Sequence, residues 1–157
     1  MKVLGIIPSR YESTRFPGKS LIDIMGKTMI QRVYEQAKKS KQLDDLVVAT
    51  DDQRIFEKVK SFGGSVIITG KHHKNGTERC LEVAKSLRAQ FVVNIQGDEP
   101  FIQPEQIDEL CSIISSDTDL ATLIKRIKDP SDLENPNLVK VVKSLDDYAL
   151  YFSRSPI

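Results

Sequence analysis

Val3-Leu4-Gly5-Ile6-Ile7-Pro8-Ser9-Arg10-Tyr11-Glu12-Ser13-Thr14-Arg15-Phe16-Pro17-Gly18-Lys19 is the stretch on which the fold turns. Its first five residues carry no charge. They read as a strand buried on both faces, the kind found inside parallel sheets. The rest is a polar loop with three permanent cations, Arg10, Arg15 and Lys19. In an open α/β sheet, ligands bind beyond the carboxyl ends of the strands. Guanidinium offers a planar fork of donors and ammonium a compact point charge, so the three cations suit a polyphosphate. The same loop also reads as ordinary solvated surface. Pro8 and Pro17 stiffen it, and Gly18 leaves the backbone free to approach a ligand. Neither G-x-x-x-x-G-K-[ST] nor G-x-G-x-x-G is present, so a nucleotide would be held by other means.

Outward from this stretch, apolar strand-like runs alternate with helix-period segments. Residues 21–25 lead to a Gly26-Lys27 turn. Residues 46–49, 66–68 and 91–95 read as the second, third and fourth strands. A helix capped by Thr28 has Met29, Ile30, Val33, Tyr34 and Ala37 on its apolar face. A second, capped by Asp51, carries Ile55, Phe56, Val59 and Phe62 and closes at Gly63-Gly64. A third starts near Thr77 with Cys80, Leu81, Ala84 and Leu87 inward. A fourth has Pro104 in its first turn and Ile107, Leu110, Cys111 and Ile114 inward. Residues 120–124, 138–142 and 148–152 read as later strands. The alternation predicts an α/β fold, a mainly parallel sheet with helices on both faces, in one domain across residues 1–157.

Lys and Arg number 23 and Asp and Glu 22, a net charge of +1. That balance argues against a general nucleic-acid or membrane-surface binder. No apolar stretch reaches the length of a membrane span, and the chain opens on a strand rather than a signal peptide's apolar region, so a cytoplasmic location is expected. Cys80 and Cys111 then read as free core thiols. No Cys/His spacing has the form of a zinc site. His72 and His73 are adjacent and would point apart on a regular element. They read as loop residues rather than ligands.

Chemistry concentrates in three loops that follow predicted strands: the basic loop, residues 69–79 and residues 96–101. Asp98, a carboxylate just past a strand and a glycine, suits Mg²⁺ shared with substrate phosphates, or caps the next element. Asn75-Gly76-Thr77-Glu78 is either a turn with a capping box completed by Glu78, or a place where Gly76 and Thr77 bring donors to a base or ribose. Asp51-Asp52 reads as an N-cap and helix-dipole pair.

Taken together, the segments Ile6-Ile7-Pro8-Ser9-Arg10-Tyr11, Thr14-Arg15-Phe16-Pro17-Gly18-Lys19, Ala49-Thr50-Asp51, Gly76-Thr77-Glu78-Arg79, Asn94-Ile95-Gln96-Gly97-Asp98-Glu99-Pro100, Asn135-Pro136-Asn137-Leu138-Val139-Lys140-Val141-Val142 and Tyr148-Ala149-Leu150-Tyr151-Phe152-Ser153-Arg154 resemble the N-terminal part of the 3-deoxy-manno-octulosonate cytidylyltransferase (CMP-Kdo synthetase) family. The resemblance implies a Rossmann-like nucleotidyltransferase fold. It implies that CTP and Kdo give CMP-Kdo and pyrophosphate with Mg²⁺, for lipopolysaccharide assembly. It assigns Arg10, Arg15 and Lys19 to the phosphates and the leaving pyrophosphate, and Asp98 to Mg²⁺. Pro8, Ser9, Gly76 and Thr77 fall to the cytosine and ribose pocket. Gln96 and Arg154 fall to the sugar, Arg154 facing its carboxylate. Asn75 stands where the family usually has serine. Family members continue beyond the length of this chain. The resemblance assigns to that further part a second metal-binding aspartate, more sugar contacts and much of a homodimer interface. A related acidic sugar, such as an 8-amino Kdo analogue, and CTP binding without turnover are the competing expectations.

Overall fold

The computed structural model describes residues 2–12 and 16–157. They form two compact units, residues 1–121 and 122–157. The first unit begins with β1 (Val3–Ser9), then a short 3₁₀ turn at Lys19–Leu21 and a small hairpin, β2 (Asp23–Ile24) and β3 (Lys27–Thr28). Next come α1 (Met29–Ala37), β4 (Asp45–Thr50), α2 (Gln53–Ser61), β5 (Val66–Ile68), α3 (Gly76–Leu87), β6 (Phe91–Asn94) and α4 (Pro104–Ser112). Four strands form one parallel sheet in the order β5-β4-β1-β6.

Side-chain alternation along the strands divides the core in two. Val3 and Ile7 of β1 face α1, α2 and α4, where they meet Ile30, Val33, Ile55, Val59 and Ile107. Leu4 and Ile6 face the other way, with Val47 and Ala49 of β4, onto Cys80 and Val83 of α3. Helices therefore cover both faces, as the alternation predicts. Ile6, Ile7, Ile30 and Ile55 are fully buried, and each such side chain contributes about 1.5–3 kcal/mol of transfer free energy.

Several local expectations change. The turn of the β2–β3 hairpin falls at Met25-Gly26, not Gly26-Lys27. Both residues have positive φ, 51° and 82°, as a type I′ turn requires. The Asp23 carboxylate accepts the Gly26 N–H at 2.9 Å, and the Arg32 guanidinium on α1 bonds the carbonyls of Ile24 and Met25. Thr28 does precede α1, but its side chain makes no cap bond and its hydroxyl is buried without a partner. The backbone meets the first helical amide instead: Met29 N donates to Ile22 O at 2.8 Å.

The cap of α2 is Asp52, not Asp51. Asp52 Oδ1 accepts the Arg54 N–H at 2.9 Å, and the Arg54 side chain holds its carboxyl below the usual range. Asp51 turns the other way. Its Oδ2 lies 2.7 Å from Nη2 of Arg79, which is only 4% exposed. This pair explains why the apolar stripe of α3 is displaced from the predicted one. Arg79, Cys80 and Val83 face inward, while Leu81 and Leu87 are exposed.

Residues 120–124, at the boundary of the two units, do not form the expected strand; Leu120 is 93% exposed and the run pairs with no strand among the described residues. After the short helix α5 (Ser131–Glu134), β7 (Lys140–Lys143) and β8 (Ala149–Ser153) form an antiparallel ribbon rather than joining a parallel sheet. Lys140 is buried, and its ammonium bonds the carbonyls of Asn135, Leu138 and Arg154.

Two stability measurements check this packing. By urea unfolding, Ile7→Ala should lower stability by about 2–5 kcal/mol, whereas Leu81→Ala should stay within about 0.5 kcal/mol. Arg79→Leu leaves the Asp51 carboxylate without its partner and should cost about 3–5 kcal/mol, most of it recovered by adding Asp51→Leu.

Candidate functional site

The sheet order sets the location of the site. The chain runs from β1 outward through β4 to β5, then crosses to the far side of β1 to form β6. β1 and β6 thus diverge at a topological switch point, and a crevice opens beyond their carboxyl ends. A cavity of about 590 Å³ lies there, within the range of small-molecule sites. Pro8, Ser9 and Arg10 line it from the end of β1, and Lys19 and Ser20 from the end of the basic loop. Gln96, Gly97 and Asp98 line it from beyond β6, and His73, Lys74, Asn75 and Gly76 from the loop that enters α3. The three loops read from the sequence therefore meet on one cavity.

The basic loop is held from outside. The Arg54 guanidinium, itself forked onto Asp52 at 3.0 and 2.6 Å, lies 3.2 Å from the centre of the Tyr11 ring. Such stacking of arginine on an aromatic face is attractive. The Tyr11 carbonyl accepts the N–H of Gly18 at 2.8 Å. Gly18 has φ of 72°, a conformation that favours glycine. Ser9 Oγ donates to Ser20 Oγ at 2.7 Å within the buried part of the loop, so the Ser9 hydroxyl is committed internally. Arg10 is exposed at the cavity. Arg15 lies outside the described residues.

Lys19 and Asp98 meet directly: Nζ donates to Oδ2 at 2.6 Å, with the two side chains 39% and 50% accessible. A pair so open to water contributes about 0–1 kcal/mol and is easily exchanged for other partners. The donor set fits Mg²⁺ in the sense expected. One accessible carboxylate faces a polar cavity with room for phosphate oxygens and water, which is how Mg²⁺ is commonly held beside a polyphosphate.

Gly97 is the tightest point of the wall. A Cβ there would stand 3.0 Å from the Pro8 carbonyl and 3.5 Å from Ile7. The end of β1 and the loop after β6 can approach this closely because residue 97 has no side chain.

At the third wall, Asn75 caps α3: its Oδ1 accepts the Glu78 N–H at 2.9 Å. The Glu78 carboxylate reaches back to Lys74 N at 2.8 Å rather than to Asn75 N, a shifted form of the expected capping box. Asparagine thus does here what serine does at such a position. Thr77 is exposed and is not among the lining residues. Arg79 also lines the cavity, but its guanidinium is engaged by Asp51, Thr69 and the Gly70 carbonyl. It braces the loop from beneath. Arg154 belongs to the second unit, where its guanidinium bonds the carbonyls of Pro136 and Asn137 at 3.1 and 3.3 Å.

Neither cysteine offers a nucleophile. Burial pushes the Cys80 thiol up to about 11 and raises Cys111 as well. His72 and His73 lie in the loop before α3, as expected, but their rings come within 4.3 Å of each other and gather with Glu82 of α3. The sequence signal would have been the spacing of 9 between His73 and Glu82, which has no meaning until the loop folds back on the helix.

Comparison with known proteins agrees with this architecture. The family model for cytidylyltransferases matches residues 4–157. The 3-deoxy-manno-octulosonate cytidylyltransferase of Cytophaga hutchinsonii is 51% identical over the whole chain, and that of Geobacter sulfurreducens 48%. The chain spans 64% of the length of each of these relatives. A solved CTP complex of CMP:2-keto-3-deoxy-manno-octonic acid synthetase superimposes with a TM-score of 0.91 at 41% identity, covering all of this chain and 66% of that one. A match that runs from the second residue of β1 to the end of the chain takes in all three walls of the cavity, and the chain belongs to the cytidylyltransferase family.

Proposed function

We propose that this chain carries the nucleotide-binding part of a CTP-dependent sugar nucleotidyltransferase that makes CMP-Kdo and pyrophosphate from CTP and Kdo. One observation carries the reading: Arg10, Lys19, Gly76 and Asp98, from three separate loops, line a single cavity at the switch point of the sheet. The likeness to a CTP complex over the whole chain supports the choice of nucleotide.

In this proposal the triphosphate lies against Arg10, Arg15 and Lys19, and the cytidine lies toward Pro8, Ser9, Gly76 and Thr77. Pro8 and Gly76 pack against each other in the cavity wall, a Cβ on Gly76 falling 3.1 Å from the Pro8 ring, so the end of β1 and the start of α3 present one continuous surface to the base. The Ser9 hydroxyl gives its proton to Ser20 Oγ and keeps its lone pairs as acceptors, beside the backbone groups of the strand end. Asp98 would hold Mg²⁺, which when bound would supply charge neutralisation. The anomeric hydroxyl oxygen of the sugar bonds to the α-phosphorus as the bond to pyrophosphate breaks. The cations stabilise charge on the departing group, and positioning and electrostatics supply most of the acceleration in such transfers. Gln96, which lines the cavity, is assigned to the sugar. Homodimerisation of the longer family form and a cytoplasmic location belong to the same proposal. The free, buried thiols of Cys80 and Cys111 fit a reducing compartment, and no helix among the described residues is long and apolar enough to cross a membrane.

Pyrophosphate release measured with CTP, Kdo and Mg²⁺ tests the reading. Release that needs all three supports it. Saturable CTP binding without release narrows it to nucleotide binding, and absence of CTP binding overturns it. In an active preparation, Asp98→Asn and Lys19→Met should each lower kcat by roughly 10²–10³-fold while shifting unfolding free energy by less than about 1 kcal/mol. Full Mg²⁺-dependent turnover by Asp98→Asn would remove the metal assignment.

A further inference from the structure

His72, His73 and Glu82 form a cluster that the nucleotide reading does not use. Their imidazole nitrogens and a carboxylate oxygen all lie within 4.8 Å of one another. His73 Nε2 bonds Glu82 Oε2. Only 8% of the His73 side chain is accessible, while Glu82 is 40% accessible and His72 is exposed. The Glu82 oxygen is oriented by a second donor, the backbone N–H of Gly70 at 3.1 Å. These two bonds, the His73 contact foremost, hold the Glu82 carboxyl below its usual range.

A His73–Glu82 pair alone accounts for two of the three groups. It does not account for His72, whose ring lies tilted against that of His73 with centroids 4.3 Å apart. Nor does it account for residue 70. A Cβ on Gly70 would stand 2.4 Å from Cε1 of the His72 ring, so the ring occupies the space that a side chain at 70 would need. The loop is shaped around three converging donors, with one face open to solvent.

We infer that His72, His73 and Glu82 bind a divalent transition-metal ion of the zinc type, at a site separate from Asp98. Two imidazoles and one carboxylate suit Zn²⁺, Co²⁺ or Ni²⁺, whereas Mg²⁺ prefers an all-oxygen shell. Donors about 2.0–2.1 Å from a tetrahedral ion stand roughly 3.3 Å apart; the ion takes the place of the proton between His73 and Glu82, which move apart, and rotation of the exposed His72 ring brings in the third donor. Three protein ligands leave a fourth position for water. Lys71 and Lys74 flank the cluster but are exposed, where water and salt screen them. The bound ion ties the loop after β5 to the second turn of α3. It thereby fixes His73, Lys74 and Asn75, which line the nucleotide cavity. The site needs no assumption about the reaction, and it stands or falls separately from the proposed function.

The test is a Co²⁺ titration of the untagged, chelator-stripped chain in excess Mg²⁺, read by the visible absorption of bound Co²⁺. One equivalent per chain, displaced by Zn²⁺, is expected. His72→Gln, His73→Gln and Glu82→Gln should each weaken binding by at least about tenfold. Gly70→Ala keeps every ligand but displaces the His72 ring, and should weaken it by about 10–100-fold, the usual effect of disturbing the groups that orient a ligand. Circular dichroism checks that each variant folds. If His73→Gln or Glu82→Gln unfolds, His72→Gln and Gly70→Ala decide. No saturable Co²⁺ binding, or binding that His72→Gln leaves unchanged, overturns the inference.

Discussion

β1 is enclosed from four directions, and the rest of the first unit follows from that enclosure. Its edges are met by β4 and β6 through parallel ladders. Its faces are met by α3 on one side and by α1, α2 and α4 on the other. With no water on either face, its backbone amides and carbonyls have to be satisfied sideways. A strand held in this way has one free end for function, the carboxyl end. Pro8, Ser9 and Arg10 stand there, just past the buried run of residues 3–7.

The cavity beyond that end is built from loops, yet each loop is braced away from the cavity. Arg54 and Asp52 hold Tyr11 and with it the start of the basic loop. Asp51 and Thr69 hold Arg79 and with it the entrance to α3. Gly97 allows the third loop to lie against Pro8. The Arg79 brace is buried and the Arg54 brace lies at the surface away from the cavity, and the groups left facing the cavity, Arg10, Lys19 and Asp98, are accessible. This division lets charges of both signs stand close together without the cost of burying them.

The parallel sheet and the three convergent loops were legible in the sequence because their signals are strong and local. The uncharged apolar runs mark the buried strands, and the loops that follow three of them carry the polar and charged residues; only together do those loops single out a site. What escaped were features that depend on partners distant in sequence. Asp51 and Asp52 are equivalent as local caps, and only Arg79, 28 positions away, draws one of them off. The same arginine displaces the apolar stripe of α3 and leaves Leu81 in solvent. Residues 120–124 have strand composition, but a strand also needs a neighbour. Asn75 looked like a departure from the family pattern and proves to be an adequate cap. The His72–His73–Glu82 cluster joins a loop to a helix, and no periodicity reports such a junction.

The contact at Gly97 also bears on how such a site can diversify. Any side chain at that position presses on the backbone carbonyl of Pro8 rather than on a flexible group, and so parts β1 from the loop after β6. Variation in what the cavity accepts is therefore channelled away from its floor. It is left to Lys74 and Gln96, exposed positions where a new side chain meets only water. The floor is the fixed part of the pocket's inheritance, and the rim is where lineages can differ.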